Sequence, residues 1–293
     1  MFLKVKKFNA EVPILYGLNS MSSPFGVSMV ADDILSDKDN YKSVPEGMFV
    51  VEVDGVIRFL PRTRLSVATA TNSPSVTLKF PTCSFKVGDT LYGQAAGRVV
   101  FGGAVDNGEV VTLNIGGKNY SVTTASTALA DLPALFVTDH AAALSAEGIT
   151  ITALASTSTL EVKATDVYVI SGMSASGKLT VSTNTPDGSV GMYMMPLGSI
   201  ASIGPELSDK TRVVTLAANA AYVLPVDSPV GVAVDKYIGI YPDALDFTEE
   251  PLRHVAPIVE ADGVYESNLP YVDKGVKRQL PSLRINKSFY KAA

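Results

Sequence analysis

The sequence predicts a mainly β protein: a small β-barrel or sandwich with an inserted ββαββ module and extended terminal arms. Three observations lead there. Short apolar runs recur at ~8 to 12 residue spacing with Gly, Pro, Asn or Ser turns between them, as in sandwiches and barrels. One stretch, Ala128 to Ala146, carries helical spacing between pairs of strand-like runs. Both ends of the chain lack sustained periodicity.

Residues 1–45 hold few periodic runs and include the turn-like Asn19-Ser20-Met21-Ser22-Ser23-Pro24-Phe25-Gly26, so they read as an extended arm. Pro45-Glu46-Gly47 is a turn. Met48 to Val53 then reads as a strand, Asp54-Gly55 as a two-residue hairpin turn, and Val56 to Leu60 as the partner strand. Val76, Leu78 and Phe80 alternate with Thr77 and Lys79, as expected of a half-buried strand. Phe85-Lys86-Val87-Gly88-Asp89 supplies a further turn before Thr90-Leu91-Tyr92. Residues 46–106 and 165–242 are assigned on this basis to the β core.

The insert spans residues 107–164. Glu109 to Ile115 and Lys118 to Thr123 flank Gly116-Gly117, a dipeptide suited to a tight hairpin. Leu132, Leu135, Phe136 and His140 then recur at helical spacing, with Pro133 setting the helix start near Asp131 and Gly148 supplying a C-cap. Ile149, Ile151 and Ala153 alternate as a third strand, and Thr159 to Ala164 reads as a fourth. Beyond the insert, Val167 to Ile170, Lys178 to Ser182, Val190 to Met195, Thr211 to Leu216, Ala221 to Leu224 and Gly231 to Ile240 continue the strand pattern. Pro196-Leu197-Gly198-Ser199-Ile200 reads as a turn-rich connection. From residue 243 to 293, Pro and charged residues interrupt every apolar run, which predicts a second arm.

Composition narrows the function. Hydrophobic residues make up 46% and charged residues 18% of the 293, so the chain can bury a sizeable core and also carries apolar surface suited to assembly. Mean hydropathy is +0.23. The absence of a run of ~18 apolar residues and of a secretory h-region predicts a soluble, cytoplasmically made protein without a membrane partner. Cys83 is the single cysteine, which excludes an intrachain disulfide framework and a multi-cysteine zinc site; a small buried hydrophobe is its expected role.

No local frame of nucleophile, base and orienting partner is present, so no catalytic residue is assigned and no enzyme is expected. His140 and His254 are far apart, and Glu249-Glu250 are adjacent and do not naturally converge as acid and base. Asp32, Asp33, Asp37 and Asp39 invite a hard cation, but they lack the spacing, loop glycine and closing glutamate of an EF-hand. A solvated or subunit-facing acidic loop is expected, with no metal. Gly102-Gly103 and Gly116-Gly117 lack a phosphate-binding lysine and helix, and Gly93-Gln94-Ala95-Ala96-Gly97 departs from the dinucleotide fingerprint, so these glycines read as turns and no cofactor is assigned. The C-terminal arm is basic: Lys274, Lys277, Arg278, Arg284 and Lys287 with Phe289 and Tyr290 form the candidate protein interface. The pI of about 5.1 argues against nucleic acid as its partner.

Three segments together resemble the β-barrel core of capsid decoration (cement) proteins of tailed bacteriophages: Val44-Pro45-Glu46-Gly47-Met48-Phe49-Val50-Val51, Phe85-Lys86-Val87-Gly88-Asp89, and Pro229-Val230-Gly231-Val232-Ala233. The stretch from Gly108 to Thr123, with the Ala-rich helix and Ile149-Thr150-Ile151-Thr152-Ala153, resembles a module of phage tail-sheath, tail and head accessory proteins. The resemblance implies a non-enzymatic virion protein on the capsid surface that binds the major capsid protein and bridges neighbouring capsomers. Closed symmetry, the usual route to a repeated interface, adds self-association as a trimer or dimer. Two alternatives stand beside it. One is a tail or baseplate protein. The other is a glycan-binding adhesin with Tyr193, Tyr222 or Tyr237 as a stacking platform, although apolar neighbours favour core or interface packing for those tyrosines.

Overall fold

The computed structural model describes residues 20–22, 26–115, 118–164, 173–175, 180–182, 193–248, 251–265, 269–272 and 279–286. The fold is mainly β, in the predicted barrel or sandwich class, with one α-helix among the described residues. It forms two compact units, one from residues 1–91, 198–227 and 231–293 and the other from 92–197 and 228–230.

The first unit holds a six-stranded sheet in which Met48–Val53 lies next to the edge strand Val56–Phe59. This strand pairs antiparallel with Val56–Phe59 on one edge and Lys236–Tyr241 on the other. All its residues except Glu52 are buried, which is why the sequence shows a continuous apolar run there without alternation. Asp54 and Gly55 take φ angles of 51° and 73°, the paired positive values of the predicted two-residue turn. Lys236–Tyr241 meets Ile258–Tyr265 at Ile240 and Ile258; Ser20–Ser22 and the parallel strand Leu283–Asn286 also pair with Ile258–Tyr265.

Two short ribbons flank this sheet in sequence: Val27–Val30 with Leu252–Val255, and Ser43–Val44 with Leu245–Asp246. Met29, Val44, Leu245, Phe247 and Val255 join Met48, Val50 and Phe59 in one apolar cluster. The described parts of both segments expected as extended arms are thus folded into the unit. Strands of 2 to 4 residues are too short to show alternation, so periodicity does not reveal them.

Ser75–Lys79, Thr211–Leu216 and the later residues of Tyr193–Glu206 form another antiparallel set in this unit. Two expectations fail nearby. Pro196 to Ile200 and Gly93 to Gly97, read as turns, lie inside the 14-residue strand Tyr193–Glu206 and the 13-residue strand Thr90–Gly102. Their small residues serve close packing: a Cβ on Gly198 would lie 2.9 Å from Leu216 Cδ1. Ala221 to Leu224, expected as a strand, is a loop.

The second unit contains strands, helix and strands in the predicted order: Val110–Ile115, Lys118–Thr123, Leu132–Ala146, Ile149–Ala153 and Thr159–Ala164. It reaches beyond the expected 107–164 boundaries, because Thr159–Ala164 pairs with Ala95 to Val100 and Met173–Ala175 pairs with Val110–Ile115. Pro133 occupies the first helical turn, and the Gly148 N–H donates to the Ser145 carbonyl beyond the last. The helix buries Leu132, Phe136 and Leu144 against Leu113, Val122, Ile151 and Leu160. Phe136 stacks on Phe101 with centroids 5.6 Å apart. Val167 to Ile170 lies outside the described residues.

Candidate interface surfaces

Three arginines fix the backbone segments of the first unit from within. The Arg58 guanidinium donates to both Asp89 carboxylate oxygens, at 3.0 and 2.9 Å, and the two side chains are only 5% and 10% exposed. Bidentate geometry offsets much of the cost of removing two charges from water. The Asp89 carboxylate also accepts the Lys86 N–H at 2.8 Å, while Gly88 takes φ 94°, so the Phe85 to Asp89 turn has one defined shape. Val87 is left 64% exposed on it.

Arg62 donates to the Val232 carbonyl at 3.0 Å and to the Tyr237 hydroxyl at 3.3 Å. Arg58 therefore ties the hairpin beside Val44 to Val51 to the Phe85 turn, and Arg62 ties the chain after that hairpin to Val232. Segments that carry the cement-protein resemblance are joined through these two side chains. Arg212 donates to the Ser36 carbonyl at 2.6 Å, the Gly204 carbonyl at 2.7 Å and the Thr82 hydroxyl at 3.0 Å. Burial lowers its pKa from the ordinary value, opposed by the nearby Glu206 carboxylate.

The first unit also carries a pair of tied loops that expose valines. Thr69 is buried; its N–H donates to Leu224 O, its hydroxyl donates to Tyr222 O, and it accepts the Leu224 N–H at 2.7 Å. Ala220 N–H donates to Ser73 O, Asp227 N–H donates to Leu65 O, and Arg64 donates to Asp227 O. The Asp227 carboxylate pairs with Lys79, which lowers its pKa. Between these ties, Val67, Val223 and Val226 are 56%, 61% and 51% exposed. These three β-branched side chains are exposed on a cross-linked loop pair, and the ties between the loops reduce the entropy such side chains would lose on binding. Sequence reading missed it because Val223 was assigned to a strand and Val67 lies in a segment without periodicity.

Of the predicted interface residues, Arg284 is exposed on Leu283–Asn286. Lys274, Lys277, Arg278, Lys287, Phe289 and Tyr290 lie outside the described residues. The acidic loop is matched by lysines: Lys86 reaches Asp33 at 2.6 Å, Lys42 reaches Asp32 at 3.7 Å, and Lys38 reaches Asp39 at 2.8 Å. Among the described residues no three His, Cys, Asp or Glu side chains gather as a metal site, and no helix is long and apolar enough to cross a membrane.

His254 lies opposite Ser28 across its ribbon, with Ser28 Oγ and His254 Nδ1 3.2 Å apart. The other ring nitrogen packs over Gly26, where a Cβ would come within 2.4 Å of it. His140 Nε2 bonds the Ser121 carbonyl at 2.8 Å and the ring lies edge-on to Tyr120, so it fastens the helix to the hairpin. Cys83 is buried, and desolvation pushes its thiol up to about 12. Tyr237 is 3% exposed and occupied by Arg62, which removes it as a glycan platform; Tyr222 is half-buried in the tied loop, and the Tyr193 side chain lies outside the described residues.

No family model matches the chain, and no curated protein matches it. A solved structure from Mycobacterium phage Patience aligns over 78% of this chain and 95% of that one, at 13% identity and a TM-score of 0.18. At that score the likeness defines no shared fold.

Proposed function

We propose that this chain is a non-enzymatic virion structural protein, a capsid decoration protein that binds the major capsid protein on the outer shell and bridges neighbouring capsomers. The supporting observation is the valine-tipped loop pair, an exposed apolar surface held rigid by backbone and side-chain ties. Reinforcing a shell requires such pre-ordered contact area more than it requires a pocket. The resemblance of the Val44, Phe85 and Pro229 segments to cement proteins points the same way, and the buried arginines account for how those segments are held.

The test is co-sedimentation of the Val67→Asp, Val223→Asp double variant with phage capsids lacking the protein. Both positions are exposed, so the variant is expected to fold and to lose capsid binding by about tenfold or more, in line with two charges placed against an apolar partner surface. Unchanged binding would remove the loop pair from the interface. A tail or baseplate role is the second reading, favoured by the ββαββ module. Rings or tubes formed by the purified chain, without capsid binding, would select it.

A further inference from the structure

The two tied loops of the first unit carry no charge of their own at neutral pH. Residues 66–74 and 217–226 contain no Asp, Glu, Lys, Arg or His, in a chain where charged residues make up 18%. Two backbone hydrogen bonds set the segments side by side: Thr69 N–H donates to Leu224 O at 3.0 Å, and Asp227 N–H donates to Leu65 O at 3.1 Å. Between these ties lie Val67 and Ala68 on one segment and Pro225 and Val226 on the other, all exposed. The exposed polar side chains farther along the segments, Thr71, Asn72 and Asn219, are neutral.

Charged side chains at the foot of the loops are engaged within the chain. Lys79 pairs with the Asp227 carboxylate. Arg64 donates to the Asp227 carbonyl, and its guanidinium lies 5.8 Å from the centre of the Tyr271 ring. An ionised group of a partner, once buried against these segments, would lose its water and meet no opposite charge in return. An apolar group has no such cost and gains from leaving water, and neutral polar groups can still bond Thr71 or Asn72. Charge matching across an interface therefore selects a neutral counterpart here.

We infer that the capsid patch met by these loops is itself apolar and uncharged, so that attachment is driven by burial and is indifferent to salt. The inference rests on the proposed capsid contact of the loop pair and adds the chemistry of the surface that this contact requires. An uncharged contact differs from an ion-paired one in two measurable ways. Raising NaCl from ~0.05 to ~0.5 M shortens the Debye length about threefold, which weakens ion pairs and leaves apolar burial in place. A new charge at Val67, of either sign, finds no counterpart.

The test is co-sedimentation of the full chain with phage capsids lacking it, for the wild type across that salt range and for Val67→Asp and Val67→Lys at one salt concentration. Val67 is 56% exposed, so both variants are expected to fold. The wild-type Kd is expected to stay within about twofold from ~0.05 to ~0.5 M NaCl, and both variants are expected to bind about fivefold or more weakly. A wild-type affinity that falls about tenfold or more over that range, or one variant binding at least as tightly as wild type while the other is weakened, would overturn the uncharged partner and leave the loop pair in the interface. Binding that neither variant alters, or no saturable binding of the wild type, would overturn the capsid contact on which the inference rests.

Discussion

At the scale of single residues, the first unit depends on charges that composition does not reveal. Arg58 stands in Val-Ile-Arg-Phe-Leu and Arg212 in Thr-Arg-Val-Val-Thr-Leu, each a cation inside an apolar run. That interruption is the available signal, yet the partners Asp89 and Ser36 are distant in sequence and no spacing rule identifies them. Breaking a buried pair leaves an uncompensated charge. Arg58→Met is expected to cost ~3 to 5 kcal/mol in urea denaturation, with Arg58→Met, Asp89→Asn recovering part of the loss. A single variant within 1 kcal/mol of wild type would show that Asp89 finds another partner.

Cys83 makes a separate prediction. Its thiol moves from an ordinary value of 9.0 to about 12 in the folded chain. The folded state therefore retains a proton that the unfolded state releases. The contribution is fully present below pH 9.0 and is lost as pH rises toward 12, with a slope of up to ~1.4 kcal/mol per pH unit. Cys83→Val should flatten that alkaline limb while leaving stability near neutrality within ~1.5 kcal/mol of wild type. An identical limb in the variant would assign the loss to other groups.

At the scale of elements, legibility followed length and turn chemistry. The Met48–Val53 hairpin was readable because Asp-Gly specifies its turn and the runs beside it are apolar, and the helix because its apolar spacing starts at a proline and stops at a glycine. The ribbons near residues 27–44 and 245–255 were hidden, since pairing across the length of the chain leaves no local trace. Glycine misled in the long strands, where it accommodates a neighbour and does not reverse the chain. Gly239 shows the same use: a Cβ there would lie 2.7 Å from the Ile258 carbonyl oxygen and 2.8 Å from Pro257 Cβ. Gly239→Ala should destabilise by ~1 to 3 kcal/mol through displacement of Ile258–Tyr265. Gly55→Ala, with open space around its Cβ but a φ of +73°, should cost only ~1 kcal/mol. The reverse order in thermal melts would mean that turn strain, and not strand approach, limits stability. The strand Leu283–Asn286 also sets where a tail deletion can begin: Tyr271, Leu280 and Leu283 are buried, so truncation before them removes core.

At the scale of the whole molecule, the low charge and raised hydropathy that suit assembly acquire one proposed place. It is the loop pair of the first unit that exposes Val67, Val223 and Val226. Of the sequence-predicted interface, only Arg284 falls among the described residues, and the proposed capsid-facing loop pair lies elsewhere. Loop tips and clefts are assembled by tertiary contacts such as Thr69 with Leu224, so no window of sequence displays them. The measurement that tests the central claim most directly counts copies of the purified wild-type chain bound per capsid lacking it, by quantitative co-sedimentation to saturation. A fixed stoichiometry matching a symmetry class of the shell is the predicted result, and no saturable binding at any concentration would contradict it.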